Sequence, residues 1–301
     1  MEKDHWTGIL IFLGIIGIAL FGGSKGASQK GLFSVPNPTP VQKQKNVEQR
    51  KNVEQQIREA QVKVEQLKKD IQAEEVKKTE SQYSGRITLA YVNRSKDPAQ
   101  EYVVIRVNGN ATTTIPVTGW TLHSTNTGST ITIPKATYLY FTRTINGEND
   151  IYLEPNDTLY LITGISPNGV SFKLNKCSGY LTQFQTFIPY INNNCPAPRN
   201  EDLSSIKKIV PNDACLDYIQ SFPICRAETK NLPVGWTYEC THFIYDKLNY
   251  SSCVNTHKTD KDFFGHDWRV YLKRSEHLWK DRREEIILYD NLGKIVSTLT
   301  Y

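Results

Sequence analysis

The sequence lacks the short glycine-rich motifs that mark most nucleotide-binding enzymes. Neither G-x-x-x-x-G-K-[ST] nor G-x-G-x-x-G occurs in the 301 residues, so no loop of either kind is available to hold a phosphate group. The G-x-S-x-G pattern that can expose a nucleophilic serine occurs at 22–26 (GGSKG), but there it directly follows the apolar amino-terminal run and not a strand that leads into a helix. We therefore expect a protein that is not an enzyme and that carries no cofactor.

An excess of charge of one sign is also missing. The chain has 36 Lys and Arg against 31 Asp and Glu, a net charge of +5. Nucleic-acid-binding domains usually have a strongly basic face. Nucleic acid is therefore not an expected partner on composition alone.

One local basic cluster stands out near the carboxyl end. Its members are Arg269, Lys273, Arg274, Lys280, Arg282 and Arg283. With the aromatic residues between them, these cations could form a surface for an anionic polymer, either nucleic acid or an acidic glycan. The alternative is that WRVYL (268–272) is a strand with its charges in solvent and Trp268 and Trp279 in the core. Four nearby acids leave little local excess of charge, which favours the alternative.

The amino-terminal region predicts a membrane anchor. Residues 9–21 (ILIFLGIIGIALF) carry no charge, and the apolar stretch reaches eighteen residues over 6–23, close to the minimum of about seventeen for a spanning helix. A cleaved signal peptide is the alternative, but a basic start and a clear A-x-A site are missing. We expect an anchor over 1–23, a Pro-containing linker over 24–42, and a single-pass protein of the cell membrane.

Residues 43–80 predict a helical stalk. Apolar residues alternate at spacings of four and three along it, at Val53, Ile57, Ala60, Val64, Leu67 and Ile71. That spacing is typical of a coiled-coil seam. A solvated single helix, or one packed on the rest of the protein, is the alternative, so self-association through the stalk remains a hypothesis.

The middle of the chain predicts β-structure. Runs rich in Val, Ile, Thr and Tyr, separated by turn residues, occur at 86–92, 101–107, 117–123, 130–133, 138–141, 150–153 and 157–162. Similar runs at 268–272 and 285–299 end the chain. In VTGWTL, Trp120 and Leu122 would share one face of a strand, with Trp120 as a core anchor. We interpret 83–175 and 267–301 as two pieces of one β-domain.

Several short motifs in this region occur in a distinctive order. They are GRI (85–87), EYVVIRV (101–107), VTGWTL (117–122), Ile-Pro (133–134), LEPNDTLYL (153–161) and GKIV (293–296). In this order they resemble the lamin tail domain family. The resemblance implies an immunoglobulin-like β-sandwich of a kind found on bacterial secreted and surface proteins. About a hundred residues after the turn at 164–169 depart from a compact member of that family.

That departure, residues 176–266, contains all six cysteines: Cys177, Cys195, Cys215, Cys225, Cys240 and Cys253. An even, clustered number predicts three disulfides among fifteen possible pairings, and disulfides persist outside the reducing cytoplasm. We therefore expect most of the chain to be extracytoplasmic, although Lys25 and Lys30 slightly favour the opposite topology.

Two metal-binding hypotheses apply to the same insertion. Cys240, His242, Cys253 and His257 offer thiolate and imidazole ligands for zinc, but C-x-H is an unusual first pair, so disulfides are favoured. The stretch TDKDFFGHDW (259–268) carries three aspartates but lacks the glycine and final glutamate positions of an EF-hand loop. No metal is therefore expected.

The sequence as a whole predicts a non-catalytic surface protein that displays a lamin-tail-like domain for adhesion, scaffolding or binding of an unknown protein or glycan. One alternative is an auxiliary module for a secreted hydrolase or nuclease. Another is a cytosolic nucleic-acid-binding protein with reduced cysteines. The insertion and its aromatic flanks are the expected contact surface for any partner.

Overall fold

A single long helix precedes the β-strands. The computed structural model describes residues 40–208 and 213–301, so the predicted anchor and most of the predicted linker lie outside the described residues. Helix α1 runs over Pro40–Thr79 and begins with a proline, which has no backbone N–H to leave unbonded in the first turn. None of the helices in the described ranges combines the length and apolar character needed to cross a bilayer.

The helix covers nearly the same residues as the predicted helical stalk, and the apolar side chains along its seam are partly exposed. Val53, Ile57, Val64, Leu67 and Ile71 are each about half exposed, from 49% to 55%. The chain divides into two units at Lys68/Lys69, and the second unit contains every described strand.

Eleven strands are found in the described part of the chain. They are β1 (Ile87–Asn93), β2 (Tyr102–Val107), β3 (Ile115–Pro116), β4 (Thr121–Ser124), β5 (Thr130–Thr132), β6 (Tyr152–Leu153), β7 (Thr158–Ile162), β8 (Phe172–Asn175), β9 (Phe264–Tyr271), β10 (Glu285–Tyr289) and β11 (Ile295–Thr300).

The strands form two main sheets and one small one. The larger sheet has the order β1-β2-β7-β9-β8, the second has the order β11-β10-β4-β5, and β3 pairs with β6. Neighbours in the larger sheet are antiparallel except β7 and β9, which run parallel. The strands at the carboxyl end therefore complete both main sheets.

The two main sheets pack over one apolar core, as in a sandwich. Leu159, Leu161 and Trp268 enter it from the larger sheet, and Leu122 and Ile286 enter it from the second. Alternation along each strand places these residues on the inner faces. Trp120, at the turn before β4, is also fully buried in this core, as its pattern predicted.

The outer face of the larger sheet is covered as well. Ile162, Phe172, Leu174 and Tyr271 pack there against residues of the cysteine-rich insertion, in a second apolar cluster. The second half of β9, residues 268–271, is consequently buried on both faces. The body thus has three layers: the second sheet, the larger sheet and the insertion.

Short helices and three disulfides build the third layer. The helices are a 3-10 turn (Ser178–Gln183), a second 3-10 turn (Pro198–Asn200), α2 (Ser204–Lys207), α3 (Asp213–Ser221), α4 (Tyr238–His242), a π-turn (Phe243–Lys247) and α5 (Tyr250–His257). The pairing is Cys177 with Cys253, Cys195 with Cys225, and Cys215 with Cys240. The prediction of three disulfides is confirmed.

Three details of the strand prediction were wrong. Residues 138–141 form no strand, because the chain makes only isolated bridges at Ala136 and Thr137 and then turns away from the sheet. Strands β3 and β8 were not anticipated. The run at 117–123 begins its strand only at Thr121, because Gly119 turns the backbone with φ of +85°.

Candidate functional site

One concavity on the third layer is rich in aromatic side chains. It has a volume of about 560 Å³, and we call it the aromatic groove. Its lining residues are Tyr140, Thr142, Arg143, Tyr180, Leu181, Phe184, Gln185, Ala227, Tyr245, Asp246, Asn249, Tyr250 and Ser251. The loop after β5 supplies one wall, and the insertion supplies the rest.

The loop that carries Tyr140 and Thr142 is closed by one amide side chain. Asn146 Oδ1 accepts a hydrogen bond from Phe141 N at 2.7 Å, and Asn146 Nδ2 donates to Phe141 O at 2.9 Å. The hydroxyl oxygens of Thr142 and Ser251 lie 2.6 Å apart and join this loop to helix α5. This wall of the groove is therefore built before any ligand arrives.

Tyr250 forms the floor between the loop and the insertion. Its hydroxyl donates to Tyr140 O at 2.9 Å, and the two rings lie 5.7 Å apart. Burial raises the pKa of Tyr250 and that of Tyr140 above the ordinary value. Both phenols therefore remain neutral hydroxyls at physiological pH.

The amino end of α5 projects polar groups into the groove. Asn249 is the helix cap, and its Oδ1 accepts from Ser252 N at 3.0 Å, which satisfies one of the free N–H groups of the first turn. Asn249 Nδ2 donates to Asp246 O at 2.9 Å. The cap keeps the adjacent Ser251 hydroxyl fixed at the rim of the groove.

The opposite wall follows the 3-10 turn over Ser178–Gln183. The side-chain amide of Gln183 forms two hydrogen bonds with the backbone of Ala227. Its Nε2 donates to Ala227 O at 3.0 Å, and its Oε1 accepts from Ala227 N at 2.7 Å. Burial, and then the charge of Glu201, raise the pKa of Tyr180 to about 12. Phe184 lies at the edge of this wall with 69% of its surface exposed.

The charge of the groove is low and balanced. Arg143 and Asp246 are its only charged lining residues. The remaining polar groups are phenols, hydroxyls and amides. Such a set recognises a ligand by stacking and by neutral hydrogen bonds, much as Tyr, Ser and Asn do in antibody binding loops.

One member of the predicted basic cluster is buried. Arg269 requires a correction: its side chain is only 2% exposed, stacks 4.1 Å from the centroid of the Tyr160 ring, and donates to Tyr190 O at 3.4 Å. It is buried because the insertion covers the outer face of β9. The guanidinium is therefore not available to a partner.

The other five cations are exposed and lie in the loop between β9 and β10. Lys273 and Arg274 line a smaller cavity of about 300 Å³. Lys280, Arg282 and Arg283 precede β10. There Asp281 Oδ1 accepts from Arg94 Nη2 at 2.6 Å, and Lys280 N donates to the buried Glu284 at 2.8 Å.

The residues of the two metal hypotheses have other partners. Cys240 and Cys253 belong to different disulfides. His242 bonds Asp246, and His257 lies between Glu201 and Asp260. The insertion's candidate calcium ligands Asp260 and Asp262 both bind the ammonium of Lys176, at 3.0 and 2.6 Å. Over residues 40–208 and 213–301, no group of three or more His, Cys, Asp or Glu is arranged to hold a metal ion.

Sequence reasoning found only part of the aromatic groove. The aromatic content of the insertion was visible, but Tyr140 was assigned to a strand over 138–141. Asn146, five residues after Phe141, is a residue type that often closes a loop, and it could have corrected this assignment. Comparison with protein-family models, with curated protein sequences and with solved structures found no match for this chain.

Proposed function

We propose that this chain is a non-catalytic, membrane-anchored surface protein that uses the aromatic groove to bind a glycan. In this proposal residues 1–23 anchor the chain in the cell membrane, and the bulk is extracytoplasmic. The sheets form a lamin-tail-like, immunoglobulin-like sandwich that supports the insertion.

Two observations support the fold and location in this proposal. Two sheets that pack over a common core, together with the motif order from GRI to GKIV, are compatible with the lamin tail family. All six cysteines are bonded, and such bonds persist in an oxidising compartment.

The single observation that carries the glycan assignment is that exposed aromatic rings lie beside neutral polar groups. Phe184 and Tyr245 are 69% and 42% exposed at the groove, beside the side chains of Gln185, Asn249 and Ser251. The C–H faces of a sugar ring carry small positive charge and pack against the negative face of an aromatic ring, while sugar hydroxyls need amide and hydroxyl partners. A strongly anionic polymer would instead require several cations.

The position of Tyr245 adds to this argument. Its hydroxyl accepts from Leu232 N and donates to Lys230 O, each at 3.0 Å, so the ring is held in one orientation. A ring fixed before binding loses little side-chain entropy when a ligand stacks on it. This favours a preformed site.

The proposal is tested by measuring binding of the full chain in detergent micelles to an array of neutral and acidic glycans. Phe184→Ala should weaken the strongest interaction at least about fivefold, because an aromatic contact contributes about 1 kcal/mol beyond buried area. Tyr190→Ala is a matched control, since Tyr190 is similarly exposed at 59% and lies outside the groove. Absence of any glycan binding, or equal effects of the two substitutions, would exclude the assignment.

Location is tested separately on intact cells. A membrane-impermeant amine reagent should label Lys230 and Lys247 in the insertion, and non-reducing mass measurement should find no free thiol. Protection of both lysines together with reduced cysteines would instead support the cytosolic alternative.

A further inference from the structure

Helix α1 carries a bounded apolar stripe. In heptad terms Ile57, Val64 and Ile71 occupy one core position, and Val53, Ala60 and Leu67 occupy the other. The next core positions in both directions are polar, Arg50 before the stripe and Glu74 after it. The stripe is therefore a discrete patch of nineteen residues, and its large members remain half exposed.

We propose that α1 binds the α1 of a second copy of this chain, with the two helices antiparallel. In this orientation Val53 lies opposite Ile71, Ile57 opposite Leu67, and Ala60 opposite Val64. All six core positions of both helices are then covered, with no overhang. Packing of the stripe is the expected source of stability, because most helical stability in proteins comes from packing of an apolar face.

The residues that flank the stripe determine the orientation. In a parallel pair, Lys63 would face Lys68 of the second copy, and Asp70 would face Glu75. Symmetry repeats each contact, so a parallel pair has four contacts between like charges. Like charges at neighbouring helix positions are destabilising.

The antiparallel pair has a better set of flanking contacts. Glu54 faces Lys68 of the second copy, and symmetry gives this attractive contact twice. The one repulsive contact joins the two Lys63 side chains at the centre. Glu54, Lys63 and Lys68 are all exposed in the described chain, so each can reach across a pair interface.

The antiparallel arrangement has a consequence for the two membrane anchors, which rests on the proposed function. Residue i of one copy lies opposite residue 124 minus i, so the two Pro40 residues are about 66 Å apart along the pair, at 1.5 Å per residue. The sixteen residues 24–39 can span at most about 55 Å. An upright pair therefore fits copies anchored in two facing membranes, and the stalk would join one surface to another.

The orientation is tested by one charge reversal with opposite predicted effects. Lys68→Glu removes both attractive contacts of the antiparallel pair and should weaken dimerisation of the full chain in detergent about tenfold by sedimentation equilibrium. In a parallel pair the same change would create two contacts with Lys63 and strengthen association. Adding Glu54→Lys should restore the antiparallel dimer. Lys69→Glu, which carries the same charge change on the outer face, should leave the dimer unchanged.

A distance measurement gives an independent reading of the orientation. A spin label on an encoded amino acid at position 51 should lie about 33 Å from its symmetry mate along an antiparallel pair, whereas a parallel pair would hold the labels side by side. Tightening by Lys68→Glu, a short distance at position 51, or a chain that stays monomeric at all concentrations would overturn the proposal. The glycan array does not depend on pairing: Ile57→Glu should abolish dimers and leave the array pattern intact.

Discussion

The ammonium of Lys173 lies 3.3 Å from Oδ2 of Asp157, and both side chains are almost fully buried, at 1% and 0% exposure. The same oxygen accepts from Trp268 Nε1 at 3.2 Å and from Glu154 N at 3.1 Å. The Lys173 ammonium also lies 5.3 Å from the centroid of the Tyr138 ring. One carboxylate therefore connects the start of β7 with β8 and β9.

We expect Lys173→Met to destabilise the body by about 3–5 kcal/mol, because it leaves the buried carboxylate of Asp157 without the ammonium of Lys173. Lys135→Met is the matched control: Lys135 and Asp150 also form an ion pair at 3.3 Å, but both are about half exposed. Its loss should cost less than about 1 kcal/mol. Urea unfolding followed by tryptophan fluorescence measures both, and similar small effects would argue against a structural role for the buried pair.

The free energy of unfolding should decrease as pH rises through the titration of His257. Burial of this imidazole opposes its charge, but hydrogen bonds with Glu201 and Asp260, at 3.0 and 2.8 Å, raise its pKa above the ordinary 6.5. A raised folded-state pKa stabilises the fold below about pH 6.5, and this contribution is lost as pH rises through the folded value. The difference in melting temperature between the wild type and His257→Gln should thus be larger at pH 5.5 than at pH 9. A constant difference would contradict the assignment.

Alanine should not be tolerated at Gly179. A Cβ atom there would overlap Sγ of Cys225 and lie 3.0 Å from Sγ of Cys195, and these two sulfurs form one buried disulfide. We expect Gly179→Ala to cost about 1–3 kcal/mol by overpacking. Gly147→Ala, where no atom lies within 4 Å of the added Cβ, should change stability by less than about 0.5 kcal/mol. Thermal unfolding of the two variants provides the comparison, and equal melting temperatures would refute the predicted clash.

The disulfide between Cys215 and Cys240 should stabilise only part of the third layer. It lies in a separate small cluster with Ile206, Ile219 and Ile244. Replacing both cysteines by serine should cost that cluster about 3 kcal/mol, the value expected for closing a loop of this size. Hydrogen exchange should therefore accelerate in α3 and α4 and stay slow in the sheets.

The disulfide between Cys177 and Cys253 serves as the comparison for this local effect. It belongs to the cluster on the outer face of the larger sheet, so its removal should accelerate exchange in β8 and β9 as well. Equal protection maps for the two double variants would show that the clusters unfold as one unit.

Local patterns in the sequence predicted most of the strands but not the layers. Trp120 and Leu122 alternate as inner-face residues should, and both are fully buried. Arg269 alternates in the same manner, which predicts exposure, yet the insertion covers it. Whether a sheet face meets water depends on chain segments far away in sequence, and a two-residue period carries no information about them.

The same limit applies to the aromatic groove. Phe184 and Tyr245 were visible as aromatic residues. That both line one groove depends on how the cysteines of the insertion pair and on the loop that begins at Tyr138. Pairing among six cysteines has fifteen solutions that sequence order cannot distinguish. The composition of a binding surface could thus be predicted, while its assembly required the structure.

The position of β9 between β7 and β8 sets an order of assembly for a newly made chain. β8 pairs with β9, which lies about ninety residues later in the chain. β4 pairs with β10, and the sequence separation of these two strands is larger still. Until those late strands emerge, the sheets have open apolar edges and no complete core. Contacts this distant in sequence form slowly. A polypeptide of this design therefore cannot complete either main sheet until β9 and β10 have been synthesised, and we expect fragments that end before β9 to aggregate.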